Sequence, residues 1–241
     1  MEVIERTPSP LTADRREFDA CGVGFVANVS GVASHEIVLM GLQALENLEH
    51  RGACGCDPES GDGAGVLVQL PHEFLERQCG ELGLRLPEPR RYGAGMVFLP
   101  PDPSYRTLAM RMLERAVGAA GLEVIGWREV PTDDRHCGRL SLSAKPAIAQ
   151  IFVKPRQPLS EEELERRLFL ARKIAEHESV ATGGQVARHF YVCSLSCRTM
   201  VYKGMLMAPQ VLGFFPDLRD PSFKSALALV HSRFSTNTLP T

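Results

Sequence analysis

Residues 18–26 read Phe-Asp-Ala-Cys-Gly-Val-Gly-Phe-Val, and this stretch decides how the whole chain is interpreted. A charged leader ends at Ala20, and an apolar segment with alternate glycines follows Cys21. Cleavage of the Ala20–Cys21 bond would give Cys21 a free α-amine beside its thiol. Because an α-amine has a pKa of about 8, one residue would then supply both a nucleophile and its base. The pattern marks Cys21 as a candidate catalytic nucleophile.

Two other interpretations of Cys21 are open at this point. A cysteine before a strand is commonly a small buried hydrophobic residue. A lipoprotein signal also ends at a cysteine, but it needs an apolar run of about 7–15 residues just upstream. Residues 1–20 carry charges and prolines instead, so they are interpreted as a processed or disordered tail.

The composition is that of a soluble globular protein, with 44% hydrophobic and 23% charged residues among 241. The net charge of −2 favours neither nucleic acid nor an anionic membrane as a partner. No apolar run approaches the roughly 20 residues of a membrane span. Seven cysteines without an export signal predict reduced thiols and a cytoplasmic protein.

The cysteine spacings argue against a metal site. The pairs Cys54–Cys56 and Cys193–Cys197 are not CxxC pairs, and neither has a histidine at zinc-finger spacing. Cys193 lies in a strand-like run and is predicted to pack in the core.

Periodicity and turn residues predict an alternation of strands and helices. The strands are predicted over 22–29, 66–70, 94–99, 122–127, 150–153, 189–195, 198–203 and 226–234, and the helices over 36–48, 71–82, 104–120 and 160–178. The strands 189–195 and 198–203 are predicted to form a hairpin, and residues 131–146 a loop. Directly joined strands beside helix-connected ones favour an α+β or mixed α/β fold over a doubly wound sheet.

Two predicted elements carry specific signals. Ser34 and Ser160 are predicted helix caps. The helix over 160–178 is predicted to have Glu162–Arg166 and Glu163–Arg167 pairs on its exposed face. Its predicted buried stripe is Leu164, Leu168, Ala171 and Ala175.

The glycine-rich stretch 60–65 raises the question of a nucleotide-binding loop. A dinucleotide-binding fingerprint follows a strand and opens a helix, whereas these glycines precede the predicted strand 66–70. A tight backbone turn is the preferred interpretation.

Three segments together, 21–25, 49–55 and 231–238, resemble the class II glutamine amidotransferases, and more narrowly the N-terminal glutaminase domain of glutamate synthase large subunits. Further matches lie at 60–65, 95–100, 201–205 and 225–230. The resemblance implies an α+β fold, the N-terminal-nucleophile four-layer αββα sandwich, incomplete in this chain. It also implies that residues 1–20 are a propeptide and residues 21–241 the N-terminal part of a truncated amidotransferase domain.

The resemblance assigns roles to several residues. Cys21 would attack the side-chain amide of L-glutamine, and Arg233 would bind the α-carboxylate of the substrate, with Ser235 and Thr236 lining the same pocket. Arg51 and Gly52 would help to order the site. A surface salt bridge for Arg233 and a helix-dipole contact for Arg51 are the competing interpretations.

The resemblance also implies partners beyond these residues. Ammonia would add to 2-oxoglutarate on the remaining synthase domains, which would hold FMN and an iron–sulfur cluster and take electrons from a small subunit or ferredoxin. No cofactor is expected in this segment. The family's oxyanion Asn-Gly pair and its substrate-amine aspartate would lie beyond Thr241, so these 241 residues alone are expected to have little activity.

Two alternatives are kept open. The chain could be another class II amidotransferase, or a non-catalytic fragment that retains the fold. The long insertion between the segments of Arg51 and Arg233 favours glutamate synthase.

Overall fold

A computed structural model describes residues 22–48, 57, 59–61 and 63–232 of the chain. The predictions for the leader 1–20 and for the Cys54–Cys56 pair lie outside these residues.

Two antiparallel sheets form the framework of the described residues. Their strands are β1 (Gly22–Ala27), β2 (Ala64–Gln69), β3 (Gly93–Leu99), β4 (Leu122–Glu129), β5 (Ala147–Pro155), β6 (Tyr191–Ser196), β7 (Thr199–Gly204) and β8 (Leu227–Ser232). The first sheet has the order β1-β8-β2-β7, and the second has the order β4-β5-β3-β6. This architecture confirms the predicted α+β class.

Helices connect these strands, and side chains fix several helix ends. The helices are α1 (His35–Asn47), α2 (His72–Glu81), α3 (Pro103–Ala119), α4 (Arg139–Ser143), α5 (Glu161–Thr182), α6 (Gly184–His189) and α7 (Gln210–Phe214). The hydroxyls of Ser34 and Ser160 accept hydrogen bonds from backbone N–H groups in the first turns of α1 and α5. Both predicted caps are confirmed, and each satisfies a donor that the helix leaves unpaired.

The second sheet is buried on both faces. Its outer face packs against α3 and α5 through one apolar cluster, which includes Val97, Leu113, Ile151 and Leu168. The predicted stripe of α5, with Leu164, Leu168, Ala171 and Ala175, is buried as expected. The inner face belongs to a second cluster that includes Met96 and Phe152 of the second sheet and Met200 and Tyr202 of the first.

The first sheet is buried mainly on one face. Helix α1 packs closely on β1 and β8, since a Cβ at Gly41 would lie 2.4 Å from the Cβ of Ala228. On the other face, Val23, Phe25 and Leu229 are 63%, 70% and 39% exposed. Residues therefore alternate along β1 and β8 between a covered and an open face.

A polar network crosses the interior between the two sheets. Arg128 on β4 donates to both carboxylate oxygens of Asp217 at 2.8 Å, and also to Gln150 at 3.0 Å and Gln78 at 2.8 Å. The hydroxyl of Tyr202 on β7 donates to Asp217 at 2.8 Å and accepts from Gln150 at 2.9 Å. Arg128, Asp217 and Gln150 are each at most 5% exposed. The network joins both sheets, α2 and the turn Pro216–Arg219.

Three local predictions need correction. Strands β6 and β7 do not pair as a hairpin, because β6 pairs with β3 and β7 with β2. Arg166 binds Glu163 at 2.8 Å, as Arg167 does, so only the second predicted pair on α5 is confirmed. The predicted loop 131–146 contains a 3-10 turn at Asp134–His136 and the short helix α4.

Candidate active site

Four strand ends meet at one end of the first sheet. The register pairs Gly22, the first residue of β1, with Ser232, the last residue of β8. Ser232 also pairs with Ala64 at the start of β2, and Ala64 pairs with Gly204 at the end of β7. These four residues define what we call the site end of the sheet.

Helix α1 ends above the same part of the sheet. Its C-cap is Leu48, and a Cβ built on Gly24 would lie 3.7 Å from the Cδ1 of that leucine. The C-terminal end of α1 therefore lies close to the first residues of β1. The chain returns to the sheet at Ala64.

The predicted site residues themselves lie outside the described part of the chain. They are Ala20, Cys21, Arg51, Gly52, Arg233, Ser235 and Thr236. What the structure does describe is their sequence neighbours: Gly22 follows Cys21, and Ser232 precedes Arg233. The roles given to the seven residues stay predictions.

His231, the penultimate residue of β8, is half-buried on the face of the sheet opposite α1. A Cβ at Gly65 would lie 2.8 Å from its Cε1 and 2.5 Å from the Cβ of Lys203, so glycine is needed between the two. Burial lowers the pKa of His231, and the positive charge of Lys203 lowers it further. The imidazole is therefore held in its neutral form.

This pKa shift predicts a pH dependence of stability. Because the folded-state pKa lies below the unfolded value of about 6.5, the contribution is complete above that pH and is lost as the pH falls through the folded-state pKa. We expect the urea midpoint to fall between pH 8 and pH 5.5, and to fall less in His231→Gln. Equal falls in both proteins would contradict this assignment.

The described cysteines are poor nucleophiles. Burial raises the pKa of Cys79 to about 11 and that of Cys193 and Cys197 to about 12. Burial also raises the pKa of Cys137. With these raised pKa values, the four thiols are protonated at neutral pH. The thiolate is the reactive form of cysteine, so none of the four is an effective nucleophile. Cys193 is buried on β6, as the sequence predicts.

One functional candidate was missed by the sequence analysis. The Ser60 hydroxyl donates to Asp57 and accepts from the N–H of Ser141, and Asp57 also accepts from the N–H of Leu140. These hydrogen bonds attach the turn before β2 to α4. In the sequence analysis, this region is interpreted only by the glycines of 60–65. An Asp-x-x-Ser sequence is typical of side chains that hydrogen-bond to their own turn, and this signal could have identified it.

Within the described ranges, no group of three or more His, Cys, Asp and Glu side chains is arranged to hold a metal ion. No helix in that part of the chain combines the length and the apolar character needed to cross a bilayer.

Comparisons with known proteins identify the family. The sequence model of the class-II glutamine amidotransferases matches residues 21–241. The chain is 45% identical over 224 residues to ferredoxin-dependent glutamate synthase 2 of Synechocystis, covering 93% of this chain and 14% of that protein. It is 43% identical to the NADPH glutamate synthase large chain of Bacillus subtilis, with the same coverage. It is also 43% identical to the NADH glutamate synthase of Saccharomyces cerevisiae, covering 93% of this chain and 11% of that protein.

The chain thus spans about one seventh of the length of the first two relatives. The family match begins at Cys21 and includes the segments 49–55 and 231–238. On this match, the chain belongs to the class II glutamine amidotransferases.

Proposed function

We propose that the chain hydrolyses L-glutamine to glutamate and ammonia with Cys21 as nucleophile, as the glutaminase part of a glutamate synthase. The observation that carries the proposal is the pairing of Gly22 with Ser232. These residues are the covalent neighbours of Cys21 and Arg233, so a nucleophile before β1 and a carboxylate-binding arginine after β8 would share one end of the sheet. The family match from residue 21 onward supports the same assignment.

The proposed chemistry uses one residue for two roles. The Cys21 sulfur attacks the side-chain amide carbon of glutamine, and the α-amine of a processed Cys21 takes up the thiol proton. The same amine returns a proton to the leaving nitrogen, so that the C–N bond breaks and ammonia departs from a γ-glutamyl thioester. Water then hydrolyses the thioester to glutamate and restores the thiol.

The substrate would be held by its α-carboxylate. The guanidinium of Arg233 can donate two parallel hydrogen bonds to a carboxylate, with Ser235 and Thr236 completing the pocket. Arg51 and Gly52, in the segment that follows α1, would order the nucleophile. This arrangement requires removal of residues 1–20 as a propeptide.

The wider assignment follows the resemblance of the sequence motifs to glutamate synthase large subunits, and the names of the relatives support glutamate synthase and its electron donors only. Ammonia would be used for the reductive amination of 2-oxoglutarate by further synthase domains, with FMN and an iron–sulfur cluster. We place these cofactors on the further synthase domains. The electron donor would be ferredoxin or a nicotinamide-dependent subunit. A cytoplasmic location is supported by the four free thiols of the described residues.

The proposal is tested by covalent labelling of the polypeptide expressed from the complete gene. A glutamine-analogue diazoketone should label Cys21 stoichiometrically, because the proposed mechanism requires its thiolate to lie next to the glutamine pocket. Peptide mass spectrometry locates the label, and intact mass shows whether the labelled chain begins at Cys21. Excess glutamine should slow the labelling.

The matched control is a second cysteine. Cys137→Ser should be labelled as fast as the wild type, whereas Cys21→Ser should not be labelled. A label that maps to another cysteine, or that survives in Cys21→Ser, would overturn the assignment of the nucleophile.

A further inference from the structure

Asp57 is the centre of a set of hydrogen bonds that fixes the turn preceding β2. One carboxylate oxygen accepts from the Ser60 hydroxyl at 2.8 Å and from the N–H of Leu140 in α4 at 3.0 Å. The other oxygen accepts from the N–H of Glu59 at 3.2 Å. One side chain therefore closes its own turn and ties that turn to a helix more than 80 residues away in sequence.

Ser60 and Ser141 extend this set in two directions. The Ser60 hydroxyl accepts from the N–H of Ser141 at 3.1 Å, and the Ser141 hydroxyl donates to the carbonyl of Met205 at 2.6 Å. Ser60 and Ser141 are 5% and 6% exposed. Because buried polar groups without partners cost free energy, this arrangement is strongly specified. We call Asp57, Ser60 and Ser141 the turn anchor.

Further contacts hold the turn against the start of α4 and against the segment that follows β7. The carbonyl of Glu59 accepts from the N–H of Gly138 at 3.1 Å and from the side-chain amide of Gln210 at 2.8 Å. A Cβ at Gly61 would lie 2.4 Å from the carbonyl oxygen of Leu206. A Cβ at Gly138 would lie 2.5 Å from the carbonyl carbon of Glu59. The two glycines permit an approach that no other residue type could make without displacing backbone.

In the sequence, Asp57 and Ser60 of the turn anchor lie between the proposed active-site segment and strand β2. Asp57 follows Arg51 by only six residues in the sequence, and Ala64 at the other end of the turn is one of the four residues of the site end. Without the anchor, the turn would keep the hydrogen bonds to the Glu59 carbonyl but lose the side-chain bonds of Asp57 and Ser60 to α4.

From this geometry we propose that Asp57 is a positioning residue for glutamine hydrolysis. It acts through the turn anchor and through the path from that turn to Ala64 at the site end, and it does not touch the substrate. The inference rests on the proposed function, because it concerns the rate of the Cys21 reaction. A carboxylate is required since only a group with acceptors on both oxygens can satisfy Glu59, Ser60 and Leu140 together.

The test compares Asp57→Ala and Asp57→Asn in the polypeptide expressed from the complete gene. For Asp57→Ala, we expect kcat for glutamine hydrolysis to fall by about 10², with KM within about a factor of two, and labelling of Cys21 by the diazoketone to slow in proportion. Asp57→Asn should show a smaller fall, because the amide retains an oxygen acceptor on one side only. All rates are measured well below the unfolding midpoint of each variant.

The control is Asp133→Asn. Asp133 lies in the segment 131–146, which also contains α4, and it accepts hydrogen bonds from the N–H and guanidinium of Arg135. Among the described residues it makes no hydrogen bond to the turn anchor. This variant should keep the wild-type kcat and KM. A role in stability alone would lower the unfolding midpoint of the Asp57 variants and leave the rates unchanged.

Each outcome decides one of the two proposals. If wild-type Cys21 is labelled and glutamine is hydrolysed, but a folded Asp57→Ala has unchanged kcat and labelling rate, the positioning role is wrong and the proposed function stands. If wild-type Cys21 is not labelled, the proposed function is wrong. Should Asp57→Ala fail to fold, Asp57→Asn decides, and a wild-type kcat in that variant overturns the inference.

Discussion

Asp217→Ala is expected to lower the free energy of unfolding by about 3–5 kcal/mol, the range found when one partner of a buried ion pair is removed. Asp217 and Arg128 are 4% and 5% exposed, so the guanidinium would be left charged in the interior. Although burial opposes its charge, the hydrogen bonds of Asp217 raise the pKa of Arg128 further above its ordinary value. Without Asp217 this support is lost, but an arginine side chain stays protonated at neutral pH, so the guanidinium cannot avoid the penalty by losing its proton.

The neighbours of the pair add to the expected loss. Burial, with the charge of Asp217, raises the pKa of Tyr202 well above its usual value, so its hydroxyl remains a donor that needs Asp217. Gln150 would keep its bonds to Arg128 and Tyr202, but the orientation of both partners depends on the carboxylate. A loss of this size is a large share of the 5–15 kcal/mol that stabilises a typical domain.

Urea unfolding followed by circular dichroism measures the effect. The control is Glu123→Ala, which removes a surface pair with Lys154 whose two side chains are each 45% exposed, and it should cost at most about 1 kcal/mol. The double variant Arg128→Met, Asp217→Leu should recover much of the lost stability, because it leaves no uncompensated charge. Equal midpoints for Asp217→Ala and Glu123→Ala would contradict the importance of the network.

Cys21→Ala is expected to reduce kcat for glutamine hydrolysis by on the order of 10⁶, the scale found when a hydrolase loses its nucleophile. No bond to the amide carbon can form without the sulfur, and the described thiols cannot replace it because burial keeps their pKa values high. Ammonia release from glutamine by the polypeptide of the complete gene, coupled to a sensitive detection reaction, measures the rate.

The control keeps the fold and changes a different sulfur. Cys137→Ser should retain the wild-type kcat, and the unfolding midpoint of Cys21→Ala should lie close to that of the wild type. Residual turnover in Cys21→Ala within tenfold of the wild type would show that the reaction does not pass through a Cys21 thioester.

Sequence patterns predicted most elements of the fold because local signals determine them. The continuous apolar run 226–230 marks β8, and the spacing of Leu164, Leu168, Ala171 and Ala175 marks the buried side of α5. Serine caps fixed two helix starts. These signals act over a few residues, so no knowledge of distant partners is needed.

Pairing and interior polar contacts could not be predicted in the same way. A short link between β6 and β7 is typical of a hairpin, but β6 pairs with β3 and β7 with β2. At this corner Glu165 accepts hydrogen bonds from the Ser196 hydroxyl and the Cys197 N–H, which helps to hold the chain as it passes from one sheet to the other. Alternation shows which residues share a face, and it does not show which strand lies beside them.

The candidate site was predictable only where a family motif marks it. The motifs around Cys21, Arg51 and Arg233 drew attention to residues outside the described part of the chain. The turn anchor went unnoticed because its members come from three separate segments. Arg128 lies on a strand near its end, where a charged residue is ordinarily exposed, and only the fold reveals its partners on α2, β5 and the turn 216–219.

The pairing of the first and last described strands has a consequence for biosynthesis. At the edge of its sheet, β1 pairs with β8 alone among the described strands, and 200 residues separate Ala27 from Leu227. A ribosome that adds roughly 5–20 residues per second needs roughly 10–40 s to make that stretch. Throughout this interval the strand after Cys21 emerges without its hydrogen-bonding neighbour, and its exposed Val23 and Phe25 make it a natural client for a chaperone.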